Sequence, residues 1–214
     1  MTSPVANDLV SVWGTSANSL YAAGSAGVII HYDGNGWTDF MSPIREDIYG
    51  IWGNQDDDIY VCTTYGQVYH YDGNTWTKAF QETDLSFHGV WGLSQTEVFA
   101  IGANTSVYEY DGAKWSAKLS DNLLSADING VLGFSNSNIY AVGNYGTFFH
   151  YDGSKWSEIK SGEYGNLNCI WGVSATSIYS YITLDLNDCW AFEDNLFVVG
   201  TNESIYHARI EFSP

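Results

Sequence analysis

Residues 48–79 read IYGIWGNQDDDIYVCTTYGQVYHYDGNTWTKA and contain four short runs rich in β-branched and aromatic residues. The runs cover 48–52, 59–62, 67–71 and 75–79, and Gly, Asn and Asp punctuate them. Such runs between such breakers read as strands joined by tight turns, with no room for helices. The same order of residues then returns along the chain. Trp-Gly stands at Trp13-Gly14, Trp52-Gly53, Trp91-Gly92 and Trp171-Gly172, with Leu132-Gly133 in the remaining slot, at intervals of 39, 39, 41 and 39 residues. A second phrase, His31 to Trp37, returns as His70 to Trp76, Glu109 to Trp115 and His150 to Trp156. A period near forty marks a repeat architecture.

One four-stranded sheet cannot bury both of its faces, so units of this kind are stable when stacked radially as propeller blades. The expected fold is therefore all-β: a five-bladed β-propeller of four-stranded antiparallel blades with an irregular fifth blade. It forms a single domain over 1–214, with repeats near 5–43, 44–82, 83–123, 124–162 and 163–214. A solenoid is the alternative, but its repeats are shorter, about 20–30 residues, and its ends need capping segments. Two residues before each Trp slot come Ser11, Gly50, Gly89, Gly130 and Cys169, all small. Small side chains suit a crowded innermost strand and argue against a wide axial tunnel.

The combination of Val-Trp-Gly (12–14), Ile-Tyr-Ala-Val-Gly (139–143) and His-Tyr-Asp-Gly-x-x-Trp (150–156) resembles the β-propeller repeats of secreted or surface bacterial proteins. It is similar, more loosely, to the Tyr-Asp-Gly-x-x-Trp hairpins of propeller lectins and to Asp-box hairpins. Asp72 to Trp76 is one residue shorter than the Asp-box motif. The resemblance covers nearly the whole chain and implies a fold without a single activity.

Lys and Arg number 7 against 25 Asp and Glu, a formal charge of −18. That charge repels phosphates, so nucleic acid is not an expected partner. Anionic membrane surfaces are repelled too, which leaves neutral glycans, cations and basic proteins. No apolar run of about eighteen residues exists, so no membrane insertion by a helix is expected. Abundant Tyr, Trp, Asn, Ser, Thr and Gly with little Lys fit an extracellular or cell-surface protein, although the start at Met1 shows no signal segment. Cys62 and Cys169 fall in strands, where a buried thiol is the ordinary reading. A bridge from Cys169 to Cys189 is the alternative for that pair. Asn104 and Asn202 open formal glycosylation sequons.

Asp33, Asp72, Asp111 and Asp152 stand where a hairpin needs a side-chain acceptor followed by a Gly with positive φ, and they read as turn formers. Trp37, Trp76, Trp115 and Trp156 follow these turns. They either pack between sheets or present aromatic faces on which a sugar ring can stack. His31, His70, His150 and His207 share one position, but equivalent positions on separate blades lie too far apart for the bonds of roughly 2 Å that a shared zinc needs. Five residues before the Trp slot come Asp8, Asp47, Ser86, Asp127 and Asn166. If Asp8, Asp47 and Asp127 face the axial mouth, they form an oxygen-rich ring suited to calcium. If not, they cap the turns before the first strand.

The fifth unit breaks the pattern. Trp13 to Gly24 spans 11 residues and Trp171 to the matching Gly200 spans 29, which places an insertion around 174–194. It carries Tyr181 and Trp190 among other aromatics and carboxylates, so both join the candidate ligand contacts. The chain also ends before a fourth strand could follow His207. Residues 189–192 could supply that strand; a binding loop, a shortened chain and a sixth degenerate unit starting near Trp190 are the other readings.

The leading functional expectation is a non-catalytic binding module that recognises carbohydrate, with pockets between blades at the hairpin Tyr and Trp residues. The alternative is a protein–protein interaction platform with an acidic face. A glycoside hydrolase ranks below both, because it needs catalytic carboxylates roughly 5–10 Å apart in an axial cleft, and the Trp-Gly strands carry no Asp or Glu. No cofactor is expected beyond calcium.

Overall fold

The computed structural model describes residues 3–119, 126–160, 165–174, 177–182, 186–192, 195–200 and 205–209, with backbone alone at Cys169 and from Trp171 onward. The chain divides into two compact units, Met1–Leu123 and Leu124–Pro214.

The first unit holds three antiparallel meander sheets. They comprise β1 (Leu9–Ser16), β2 (Ser19–Gly24), β3 (Ile29–Tyr32) and β4 (Trp37–Asp39); β5 (Ile48–Gln55), β6 (Asp58–Thr63), β7 (Gln67–Tyr71) and β8 (Trp76–Gln81); and β9 (Phe87–Ser94), β10 (Glu97–Gly102), β11 (Ser106–Tyr110) and β12 (Trp115–Leu119). The first strands lie side by side, β1 along β5 and β5 along β9. Burial peaks at the second strand of each sheet. All six residues of β6 are buried, whereas β8 is mostly exposed. This explains why second strands such as Asp58–Thr63 read as near-continuous apolar runs: both faces are covered.

Two cores join the sheets. Tyr21, Ala23 and Ile29 pack with Ile48, Ile59 and Val61 between the first and second sheets. Tyr60, Cys62 and Val68 pack with Phe87, Val98 and Ala100 between the second and third. Burial pushes the Cys62 thiol up to about 12, so it is an inert core thiol.

The second unit begins with a fourth such sheet, β13 (Ile128–Ser135), β14 (Asn138–Gly143), β15 (Phe148–Tyr151) and β16 (Trp156–Glu158). A pair, β17 (Leu167–Ser174) with β18 (Ser177–Ile182), and a three-stranded sheet, β19 (Leu186–Phe192), β20 (Asn195–Gly200) and β21 (Ile205–Arg209), follow. Strand β17 runs alongside both β13 and β19.

The strand pairing revises the expected insertion. Every first strand bulges at the same place, skipping Val10, Tyr49, His88, Asn129 and Asn168. Strand β19 bulges likewise at Asn187, three residues before Trp190. Trp52 lies opposite Tyr60 and Tyr60 opposite His70; Trp190 lies opposite Phe197 and Phe197 opposite His207 in the same way. Residues 189–192 therefore do not complete an open edge beside the His207 strand. They pair on the other side of β20, where a repeat begins, so the sixth-unit reading matches the backbone. The Cys169–Cys189 bridge and the Asn202 sequon lie outside the described residues.

Candidate functional site in the groove between the first two sheets

The Tyr-Asp-Gly-x-x-Trp phrase builds a self-contained hairpin. Asp72 Oδ1 accepts the N–H groups of Asn74 at 2.9 Å and Thr75 at 2.7 Å, and Gly73 takes φ +87°. Asp33, Asp111 and Asp152 repeat this geometry. Each Trp then packs at a tilt against its hairpin's own Tyr, with ring centroids at 5.4 Å for Tyr32–Trp37, 5.3 Å for Tyr71–Trp76, 5.6 Å for Tyr110–Trp115 and 5.3 Å for Tyr151–Trp156. Trp76 and Trp115 also meet Phe40 and Phe80 of the preceding sheets. All four rings are half-buried, and Trp76 and Trp115 belong to the inter-sheet packing.

The backbone N–H groups hold the turn carboxylates below the ordinary 3.8. A carboxyl whose folded value is lowered adds stability above its unfolded value and loses it as pH falls through the folded one. The melting temperature should therefore fall as acid takes the protein below about pH 4. A variant with Asn at 33, 72, 111 and 152 should show a shallower fall in a pH-resolved thermal scan, because Asn keeps the acceptor oxygen without titrating. An unchanged slope would remove these turns from the acid response.

The histidines are individually engaged. His31, His70 and His150 stack on Tyr21, Tyr60 and Tyr140 with centroids 4.4, 4.3 and 4.6 Å apart. His70 Nε2 donates to Asp58 Oδ1 at 2.7 Å, His150 Nε2 to Asn138 Oδ1 at 2.9 Å, and His31 Nε2 lies 3.0 Å from Ser19 Oγ.

The Asp8, Asp47 and Asp127 positions cap loops. The carbonyls of Asp8 and Asp127 accept the N–H groups of Ser25 and Asn144, each at 2.9 Å. Asp47 Oδ1 takes the N–H of Ala26 from the preceding sheet at 2.8 Å, and Asn166 Oδ1 takes that of Tyr145 at 3.3 Å. Ala26 and Tyr145 both have positive φ, and these carboxylate and amide oxygens satisfy their backbone N–H groups. Among the described residues, no group of three or more His, Cys, Asp or Glu side chains could hold a metal ion. The side chains of Tyr181 and Trp190 lie outside the described residues.

A groove of about 740 Å³ opens between the first two sheets, on the side of the hairpin turns. Tyr21, His31 and Phe40 form one wall and Tyr71 the other. Phe40 meets Tyr21 and Tyr71 edge-on at 5.3 and 5.2 Å, which makes the floor continuous. The end of β5 and the β5–β6 turn supply the rim with Asn54, Gln55, Asp56 and Asp57, the last three exposed. Thr15 Oγ1 donates to Asp56 Oδ1 at 2.8 Å, tying the turn to the first sheet. Burial, then the charge of Asp56, raises the Tyr21 hydroxyl above its ordinary 10.0. The hairpin tryptophans do not line this groove. The sequence reading placed pockets between blades but missed Asp56 and Asp57. Their signal was asymmetry: at the same turn positions four other repeats carry Ala17-Asn18, Gln95-Thr96, Asn136-Ser137 and Ala175-Thr176.

No family model matches the chain, and no curated protein matches it. Among solved structures it is similar to YCF48 bound to D1 peptide, at 10% identity over 99% of this chain and 94% of that one, with a TM-score of 0.55. It is also similar to YCF48 from Cyanidioschyzon merolae, at 12% identity over 98% of this chain and 69% of that one, with a TM-score of 0.59. At these identities the likeness concerns fold: with the four antiparallel sheets described above, the chain is a β-propeller.

Proposed function

We propose that this chain is a non-catalytic protein-interaction module that holds a peptide segment of a partner in the groove between its first two sheets. The groove carries the reading. Its volume falls within the range of about 300–1,000 Å³ usual for ligand sites, and it joins an aromatic floor to a polar rim. Aromatic walls supply contact area at low entropic cost, and the rim amides and carboxylates can meet peptide N–H groups. A similar fold has been seen with a peptide bound, which supports the protein-interaction alternative over the glycan expectation. The packing of the hairpin tryptophans points the same way, since the faces assigned to sugar stacking are partly covered.

Peptide display on the purified protein, run beside a glycan array with calcium and with chelator, tests this. Selected peptides should bind saturably, and Gln55→Arg, which puts a bulky cation on the exposed rim, should weaken them about tenfold or more at unchanged melting temperature. Saturable binding on the glycan array with no peptide selected would overturn the proposal.

A further inference from the structure

We infer that the groove is specific for a lysine or arginine side chain of the bound segment, whose stem lies along Phe40 and Tyr71 and whose charge meets Asp56 and Asp57. This inference rests on the peptide-binding reading above. Its first support is the wall chemistry. Aromatic faces take the alkyl stem of a long basic side chain and attract its cation. The second is the broken repeat symmetry. Positions repeated between units serve the common fold, as the turn aspartates do. Four other repeats carry no carboxylate at these two turn positions, so the common fold does not require the pair beside the groove. The third is reach: Asp56, held by Thr15 Oγ1 at 2.8 Å, and Asp57 line the same groove as Phe40 and Tyr71. The net charge of −18 adds a field that draws basic segments in. A divalent cation is a poorer occupant, because Asp56 Oδ1 already accepts from Thr15 and no third acidic, His or Cys ligand joins the pair among the described residues.

An octapeptide array with its central position fixed as Lys, Arg, Glu, Leu or Gly, and the rest randomised, provides the probe. It would be read against wild type, Asp56→Asn/Asp57→Asn and the charge-matched control Asp39→Asn/Glu158→Gln, whose exposed carboxylates lie on β4 and β16. Asn at 56 keeps the oxygen that accepts from Thr15. The Lys and Arg pools should bind wild type about tenfold tighter than the Glu pool at low salt. The groove double variant should lose that preference and the control should keep it. Equal loss in both variants would overturn the inference in favour of diffuse surface attraction. A Leu pool that binds best and is abolished by Gln55→Arg would overturn the basic specificity while sparing the peptide reading. Binding by no pool would overturn both.

Discussion

Gly92→Ala should destabilise the first unit by about 1–3 kcal/mol, and Trp52→Leu in the same chain should relieve part of that loss. A Cβ at Gly92 would stand 2.5 Å from Trp52 Cη2, 2.7 Å from its Cζ3 and 2.9 Å from the carbonyl of Glu97. Gly53 stands in the same relation to Trp13, at 2.6 and 2.8 Å. In the first three sheets Trp-Gly is thus one contact split between neighbours: Trp13 lies over Gly53 and Trp52 over Gly92. Neighbours that share a contact are non-additive, so the double variant should lose less than the sum of the single variants in urea unfolding. Strict additivity would mean that the dipeptide has some other cause.

Gly102→Ala should cost more, on the order of 4 kcal/mol or above, enough to deplete folded protein. Its Cβ would fall 2.0 Å from the Ser86 carbonyl oxygen and 2.8 Å from Phe87 Cα, both backbone atoms. That carbonyl accepts the N–H of Ala103 at 2.9 Å, so moving it breaks the closure between the first two strands of the sheet. Gly24 and Gly143 repeat the arrangement, at 1.8 Å from the Asp8 oxygen and 2.0 Å from that of Asp127. These glycines are required for space, since Gly24 and Gly143 are extended at φ −175° and −164°. Gly36→Ala, with nothing within 4 Å, is the control. Circular dichroism and soluble yield would compare them. Equal tolerance of both substitutions would refute the close approach.

Most of the fold was legible because its requirements recur. Trp-Gly marks first strands through the inter-sheet contact, and Tyr-Asp-Gly-x-x-Trp marks third and fourth strands through a turn that its own side chains close. Where a marker failed, the reading failed with it. Trp190 is followed by Ala191, so the dipeptide passes over β19, and the glycine at 200 then aligns with Trp171 as though one long unit intervened. The site was harder to read. Its walls use Tyr21, His31, Phe40 and Tyr71, residues whose counterparts serve packing elsewhere, and Asp56 and Asp57 resemble ordinary turn punctuation until the five turns are set side by side. The leading glycan expectation drew on the abundance of aromatics, which cannot tell a stacking face from a packed one.

Hydrogen–deuterium exchange on the complex with a display-selected peptide tests the central claim most directly. The groove account predicts slowed exchange in the segments around Thr15, Gln55–Asp57 and Tyr71–Gly73. Protection confined to the opposite end of these sheets, around Ser25–Gly27, Asp47 and Thr64–Gly66, would contradict it.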